Sequence, residues 1–269
     1  MIIGNREFDL NNRTYIMGIL NMTPDSFSDG GRWNELDAAL RRVEDMIQEG
    51  ADIIDVGGES TRPGHSQISE NEECERVVPI IQKIRSRFDV PISIDTCKSR
   101  VAEAALQAGA HLVNDIWGFK YDNEIAAVTA KYDAYCCLMH NKEEAVYENF
   151  MQDVLRELQE SVEIAKAAGI SKEKIILDPG VGFAKSYQEN LEAIRNVDRL
   201  HELQLPILLG TSRKSCIGLT LNLPSDERVE GTIATTVIGV MRGCAFVRVH
   251  DIKENKRAIQ MTEAILKSC

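Results

Sequence analysis

Short apolar runs rich in β-branched residues alternate along the chain with longer segments in which apolar side chains recur at helical spacing. The apolar runs are mostly unbroken, which is typical of parallel strands buried on both faces. Between them, Leu36, Leu40, Val43 and Ile47 repeat with a period near 3.6, as in an amphipathic helix. The runs predict eight strands, at residues 15–21, 53–57, 92–95, 112–115, 135–140, 175–178, 207–210 and 246–250.

Eight strand-then-helix units in 269 residues predict a single (β/α)8 TIM barrel of the α/β class, one domain over residues 1–269. Such a barrel needs about 250 residues, so it fills the chain. A doubly wound open sheet is the alternative, but no GxGxxG motif follows the first strand. Ser69 with Glu72, and Ser186 with Glu189, have the spacing of capping boxes and predict helix starts.

The composition narrows the class of protein. The apolar fraction is 43% and the net charge is -11, which argues against a nucleic-acid partner but not against an anionic substrate in a cleft. The 7 cysteines show no metal-binding or disulfide spacing, as expected for free thiols in a reducing compartment. The sequence contains no signal peptide and no run of about 20 apolar residues, so we expect a cytoplasmic protein without a membrane partner.

Polar side chains stand at or just past nearly every predicted strand end. Any one of them could cap a helix or form a turn. In a barrel, however, the loops after the strands carry the active site, so a ring of such residues predicts function there. They are Asn21, Glu59, Asp95, Asn114, His140, Asp178, Lys214, Arg248 and His250.

The charges in this ring indicate the kind of ligand. Cations suited to phosphate groups are Arg62, Arg213, Lys214, Arg248 and His250, and a helix that begins near Ser215 adds backbone amides. The carboxylates of Asp95 and Asp178 suit amidine-like N–H donors. Together they predict a heteroaromatic base with a phosphate tail.

Two long loops and one cysteine complete the candidate chemistry. Residues 22–31 and 57–64 carry Phe27 and Pro63 and are predicted to be lids, with ordinary exposed connectors as the alternative. Cys97 follows the Asp95 motif but has no neighbouring His to activate a thiolate, so we do not expect it to be a nucleophile.

Seven segments in order resemble the motifs of dihydropteroate synthases. They are MGILNMTPDSFSDGG at 17–31, GADIIDVGGESTRPG at 50–64, SIDT at 93–96, VND at 113–115, LDPGVGF at 177–183, GTSRKS at 210–215 and RVH at 248–250. The resemblance implies a transferase of folate biosynthesis and a target of sulfonamides. It would condense 6-hydroxymethyl-7,8-dihydropterin diphosphate with p-aminobenzoate, by early loss of diphosphate and attack of the amine. It also implies Mg2+ and a homodimer.

The resemblance further implies roles for individual residues. The pterin would be held by Asp95, Asn114, Ile116, Met139, Asp178, Phe183, Gly210 and Lys214. The diphosphate would be held by Asn21, Thr61, Arg62, Arg248 and His250, with Mg2+ at Asn21. The p-aminobenzoate site would be shaped by Phe27, Thr61, Arg62, Pro63 and Ser215. The catalytic residues would be Asp95, Lys214, Arg248 and His250.

The loop at 138–147 departs from the family because it lacks Gly and Pro, which leaves the role of His140 open. Two other functions are compatible with a pterin-binding barrel. One is a methyltetrahydrofolate–corrinoid methyltransferase, which shares the pterin-holding Asp and Asn but would not need the Arg-Lys and Arg-x-His anion groups. The other is a non-catalytic pterin-binding paralogue.

Overall fold

The computed structural model describes residues 1–22, 31–59 and 67–267. Its barrel strands are β3 (Tyr15–Asn21), β4 (Ile53–Gly57), β5 (Ile92–Asp95), β6 (Leu112–Asp115), β7 (Tyr135–Met139), β8 (Ile175–Asp178), β9 (Leu208–Leu209) and β10 (Phe246–Val249). Hydrogen bonds join them in the order β8-β7-β6-β5-β4-β3-β10-β9, with every neighbouring pair parallel. A parallel bridge between Leu177 and Ile207 closes the ring from β8 to β9. The closed barrel confirms the predicted fold and excludes the open sheet.

The helices follow the strands in alternation. They are α1 (Gly31–Glu49), α2 (Glu70–Arg87), α3 (Ser99–Ala108), α4 (Ile125–Lys131), α5 (Phe150–Ala167), α6 (Tyr187–Arg195), α7 (Ser215–Leu221), α8 (Val229–Met241) and α9 (Ile252–Leu266). Ser186 and Glu189 form both bonds of a capping box, whereas Ser69 accepts from the Glu72 amide without the return bond. None of the helices in the described ranges is long and apolar enough to cross a membrane.

The predicted strands coincide with the observed ones at five positions and are too long at three. β7 ends at Met139, β9 spans two residues, and β10 ends at Val249. Ile207 is nevertheless paired, through its bridge to Leu177 and the bonds that its carbonyl oxygen accepts from Ala245 and Phe246, so of the predicted residues Gly210 lies outside the sheet. His140 and His250 each follow the last residue of a strand, and the His140 amide still donates to the Asp178 carbonyl oxygen at 2.9 Å.

A hairpin that the sequence did not predict lies at the opposite end of the barrel. It pairs β1 (Ile2–Ile3) with β2 (Arg6–Glu7) in antiparallel fashion, and Phe8 follows it. The Phe8 ring meets the Tyr15 ring edge-on at 4.7 Å and lies 5.8 Å from the Phe246 ring. These apolar rings are buried and close the floor of the barrel below the strands.

Candidate active site

One arc of the barrel mouth is formed by the ends of β3, β4, β5 and β6. The parallel register sets Asn21 beside Gly57, Gly57 beside Asp95, and Asp95 beside Asn114. A Cβ on Gly57 would lie 3.7 Å from the Asn21 Oδ1 atom and 3.7 Å from the Asp95 Oδ2 atom. The side chains of Asn21 and Asp95 therefore flank Gly57, and Asn114 lies next to Asp95 at the same end of the barrel.

Arg248 links this arc to the last strand through two ion pairs. Its Nε donates to Asp55 Oδ2 at 2.6 Å, and its Nη2 donates to Asp95 Oδ2 at 2.5 Å. Asn114 Nδ2 donates to the same Asp55 oxygen at 3.2 Å. Asp55 is fully buried in the middle of β4, and sequence reasoning missed it. The signal was the single charge inside the apolar run Ile-Ile-Asp-Val, because a charge there needs a buried partner.

Negative charge exceeds positive charge around this guanidinium. Burial raises the pKa of Asp95, Arg248 opposes the rise, and Asp55 adds to it. Burial acts to lower the pKa of Arg248, but Asp55 and Asp95 outweigh it and raise that pKa. Within the described ranges, Asp55 Oδ1 and Asp95 Oδ1 are buried and have no hydrogen-bond partner. A ligand with N–H donors would supply the bonds that these oxygens lack.

A second carboxylate lies across the mouth at the end of β8. Asp178 Oδ1 accepts from the Gly180 amide at 2.7 Å. A Cβ on Gly210 would lie 3.3 Å from Asp178 Oδ2, so the glycine keeps the space beside that oxygen free. Burial raises the pKa of Asp178 to about 6, against the Gly180 amide and the cation of Lys214, which lower it.

Lys214 stands next to this carboxylate, just before α7. Its Nζ lies 4.1 Å from the centroid of the Phe183 ring, within cation–π range. Burial, followed by the charge of Arg248, lowers the pKa of Lys214 to about 8. A Cβ on Gly182 would approach the Lys214 Cδ atom to 2.9 Å, so the loop after β8 packs closely on the lysine stem.

His250 and Arg213 make contacts that the sequence did not predict. The Ser212 hydroxyl lies 2.9 Å from His250 Nδ1 and accepts from the His250 amide at 3.1 Å, which fixes the ring. Arg213 was predicted to be one of the phosphate-binding cations, but Asp251 accepts from its Nε at 3.0 Å and from its Nη2 at 2.5 Å. The positive charge of Arg213 is therefore largely neutralised by Asp251.

The remaining predicted residues fall into two groups. Met139 is buried at the end of β7 in register with Asp178, Ile116 and Phe183 are half-buried, and Ser215 is exposed at the first position of α7. Four lie outside the described residues, namely Phe27, Thr61, Arg62 and Pro63.

Neither thiol nor metal chemistry is indicated by the described side chains. Burial raises the pKa of Cys97 to about 12, so its thiol stays protonated. No cluster of three or more His, Cys, Asp or Glu side chains suited to a metal ion occurs in the part of the chain that the structure describes.

Comparison with known proteins identifies the family. The model of the pterin binding enzyme family matches residues 17–250. A dihydropteroate synthase of Clostridium beijerinckii is 61% identical over 268 residues, 99% of this chain and 100% of the relative. A dihydropteroate synthase structure from Clostridium difficile, in the presence of pteroic acid, superposes with a TM-score of 0.95 at 52% identity and covers 97% of this chain and 100% of its own. The Yersinia pestis dihydropteroate synthase in a sulfonamide drug complex has a TM-score of 0.93 at 42% identity, with 100% and 99% coverage. The chain, with its ring of paired charges at the mouth of a closed barrel, thus belongs to the dihydropteroate synthases of the pterin binding enzyme family.

Proposed function

We infer that this chain condenses 6-hydroxymethyl-7,8-dihydropterin diphosphate with p-aminobenzoate, giving 7,8-dihydropteroate and diphosphate for folate biosynthesis. The 61% identity to the C. beijerinckii enzyme extends over nearly all of both chains. Pteroic acid, present in the C. difficile structure, joins a pterin to an aminobenzoate and so contains both halves of the product. Because the Y. pestis relative binds a sulfonamide drug, we also expect sulfonamides to inhibit this chain.

The site observation that supports this function most directly is the unpartnered, buried Asp95 Oδ1 beside the Arg248 ion pair. A pterin presents several N–H donors on a flat edge, which carboxylates at Asp95 and Asp178 would accept. Lys214 would donate to the ring oxygen and nitrogens. In this proposal the walls of the pterin site are completed by Asn114, Ile116, Met139, Phe183 and Gly210.

The reaction needs a broken carbon–oxygen bond and stabilisation of the charges that result. The methylene–oxygen bond breaks early because the dihydropterin ring delocalises the positive charge that is left on the methylene carbon. The carboxylate of Asp95 would stabilise that cation, while Arg248 and His250 would hold the departing diphosphate. The amine of p-aminobenzoate then attacks the carbon and loses a proton. No enzyme nucleophile is needed, which agrees with the raised pKa of Cys97.

Mg2+ would assist by neutralising charge on the leaving diphosphate. Among the described residues, Asn21 offers it a neutral oxygen, Oδ1, beside Gly57 at the mouth. Mg2+ commonly combines few protein ligands with substrate phosphates and several waters, so this sparse donor set fits an ion that binds together with the diphosphate. Titrating Mg2+ by calorimetry with and without diphosphate tests this. Tight binding of Mg2+ to the protein alone would contradict it.

The p-aminobenzoate site stays a prediction. Ser215, at the start of α7, is exposed and accessible to a second substrate. Phe27, Thr61, Arg62 and Pro63 complete the proposed site. Thr61 and Arg62 would also contact the diphosphate, which would bring the two substrates together.

A homodimer in the cytoplasm also stays a prediction. Met241 on α8 and Met261 on α9 are each 62% exposed, and burial of such apolar side chains favours association. Light scattering would measure the mass in solution, and a monomer at micromolar concentration would contradict the prediction.

The deciding experiment is to incubate the protein with pterin diphosphate, p-aminobenzoate and Mg2+ and to measure dihydropteroate. We expect product from the wild type and a large loss in Asp95→Asn, with the surface variant Lys166→Met as the control. Methyl transfer from methyltetrahydrofolate to a corrinoid, without dihydropteroate, would identify the methyltransferase instead. Pterin binding without either reaction would identify a non-catalytic paralogue.

A further inference from the structure

Three elements behind the mouth are joined by a chain of hydrogen bonds. Lys185, in the loop between β8 and α6, lies with its Nζ 2.9 Å from Nδ1 of His140, the residue after β7. The other ring nitrogen of His140, Nε2, lies 2.8 Å from Oε2 of Glu157 on α5. An imidazole thus stands between a lysine amino group and a carboxylate.

The contacts fix the protonation state of the ring. His140 is 2% exposed, so both nitrogens depend on these two partners. The carboxylate of Glu157 requires a donor at Nε2. Burial lowers the pKa of Lys185 to about 7, and its amino group donates an N–H to an acceptor at Nδ1 whether it is charged or neutral. Both needs are met by the neutral Nε2–H tautomer. Burial, with the charge of Lys185 next, lowers the pKa of His140 to about 2, in agreement with a neutral ring.

Lys185 also ties the loop after β8 to the end of β7. Its Nζ donates to the carbonyl oxygen of Phe183 at 3.0 Å and lies 3.4 Å from the carbonyl oxygen of His140. The two segments touch closely, because a Cβ on Gly180 would come within 1.9 Å of that same His140 oxygen. The φ angle of Gly180 is +70°, so glycine is required there for two reasons.

The loop that Lys185 holds is the one that shapes the pterin side of the mouth. It begins directly after Asp178, whose Oδ1 accepts from the Gly180 amide. It also carries Phe183, whose ring lies under the Lys214 ammonium. A shift of the Phe183 backbone would therefore move the ring that supports Lys214.

We propose that Lys185, held by His140 and Glu157, is a positioning residue that sets the place of Phe183 and hence of Lys214 in the pterin site. This inference rests on the proposed function for the identity of the ligand. His140 acts inside the scaffold and does not reach the mouth. The loop at 138–147, which departs from the family's pattern, thus contributes support for the site from behind.

The first test is Lys185→Met, which removes the ammonium at nearly constant volume, with Lys166→Met as the matched control. Lys166 forms an exposed ion pair with Glu163 on the outer face of α5. We expect the KM for pterin diphosphate to rise roughly tenfold in Lys185→Met, as for a lost hydrogen bond to a charged group, while the KM for p-aminobenzoate changes less than about twofold. An unchanged KM for the pterin substrate would overturn the proposal, as would an equal rise for both substrates.

A double-mutant cycle tests the route through Phe183. Phe183→Leu removes the cation–π contact, and its effect on pterin KM is compared in the wild-type and Lys185→Met backgrounds. If Lys185 acts through Phe183, the pterin KM of the double variant should exceed that of the poorer single variant by no more than about twofold. A rise in KM equal to the product of the two single-variant rises would overturn the proposed route.

The pterin KM of Glu157→Gln gives an independent test, because Gln has nearly the same shape as Glu. The Gln oxygen can still accept from His140, whereas the amide nitrogen that replaces Oε1 loses the bond that Lys142 donates at 2.8 Å. We expect about a twofold to threefold rise in pterin KM. An unchanged pterin KM in Glu157→Gln would overturn the proposed role of Glu157 in holding Lys185 through His140. A wild-type protein that makes no dihydropteroate would instead refute the proposed function.

Discussion

The Arg248 guanidinium and the Asp95 carboxylate form an ion pair of 2.5 Å at the mouth of the barrel. The side chain of Arg248 is 18% exposed and that of Asp95 is 5% exposed, so water screens the pair weakly. Since Asp55 shares the same guanidinium, two carboxylates depend on one cation. Negative charge therefore exceeds positive charge in this cluster of Asp55, Asp95 and Arg248.

Removal of Arg248 should destabilise the fold as well as abolish activity. Arg248→Met leaves Asp55 and Asp95 buried without a counter-ion, and breaking such a pair costs about 3–5 kcal/mol of unfolding free energy. Urea denaturation at pH 7 measures the loss. The double variant Arg248→Met with Asp55→Asn should recover part of it, because one uncompensated charge is gone. Equal stability of wild type and Arg248→Met would contradict the role of this pair.

Pterin affinity should depend on pH in a bell-shaped way. Asp178, with a pKa raised to about 6, accepts N–H donors only when ionised, so binding strengthens as the pH rises through 6. Lys214, with a pKa lowered to about 8, donates best when protonated, so binding weakens as the pH rises through 8. Calorimetric titration of a pterin without the diphosphate, between pH 5 and 9, measures both limbs.

Asp178→Asn tests whether Asp178 causes the rise in pterin affinity near pH 6. It replaces one acceptor oxygen by a donor, and we expect binding of the pterin to weaken by roughly 2–4 kcal/mol. The step in affinity near pH 6 should disappear, while Asp95, whose pKa burial also raises, keeps its own dependence on pH. Unchanged affinity would remove Asp178 from the pterin site, and an unchanged step near pH 6 would assign that step to another group.

The cysteines should be dispensable for the reaction. The Cys97 thiol is neutral because burial raises its pKa to about 12, so it is neither a nucleophile nor a reactive target at pH 7. Cys97→Ser should keep at least about half of the activity, since a small polar group replaces another with little change in packing. Initial rates of Cys97→Ser and Cys74→Ser are compared. Complete loss in a folded Cys97→Ser protein alone would require a covalent role.

Binding of p-aminobenzoate should follow binding of the diphosphate. The motivation is chemical: the proposed p-aminobenzoate residues Phe27 and Pro63 are apolar, while their neighbour Arg62 suits an anion. An ordered diphosphate would then complete the second site. Calorimetry of p-aminobenzoate with the protein alone and with protein, pterin, Mg2+ and diphosphate tests this order. Equal affinity in both states would be the contrary result.

Arg62→Ala should separate binding of p-aminobenzoate from binding of the pterin. It should weaken p-aminobenzoate binding in the loaded protein and spare a pterin that lacks the diphosphate. By linkage, p-aminobenzoate should also tighten diphosphate binding in the wild type by the same factor. A variant that loses the plain pterin as well would indicate damage to the fold instead.

The barrel could be predicted because each strand is a local signal. An apolar run that stops at a polar residue marks both the strand and its functional end. In this way Asp95 ends β5, Asp178 ends β8, and Asn114 lies one residue before the end of β6. The hairpin at residues 2–7 was missed because two-residue strands are too short to show any period.

The buried partners could not be predicted because they are distant along the chain. Asp55 and Arg248 are 193 residues apart, and His140 and Lys185 are 45 apart. Sequence alone shows that a charge such as Asp55 needs a partner, but only the closed barrel determines which one. Similarly, the sequence alone could not show whether Arg213 binds an anion or, as observed, pairs with Asp251.

The closed floor of the barrel has a kinetic consequence. Because the rings of Phe8, Tyr15 and Phe246 fill the bottom, a ligand that reaches Asp178 has entered through the mouth and must leave by the same route. A molecule held near Ser215, at the rim, then stands in the exit path of the molecule beneath it. The dissociation rate of the pterin would then depend on how long the molecule at the rim stays bound. A compound that occupies the rim would keep the pterin in the barrel after free pterin has been removed from solution.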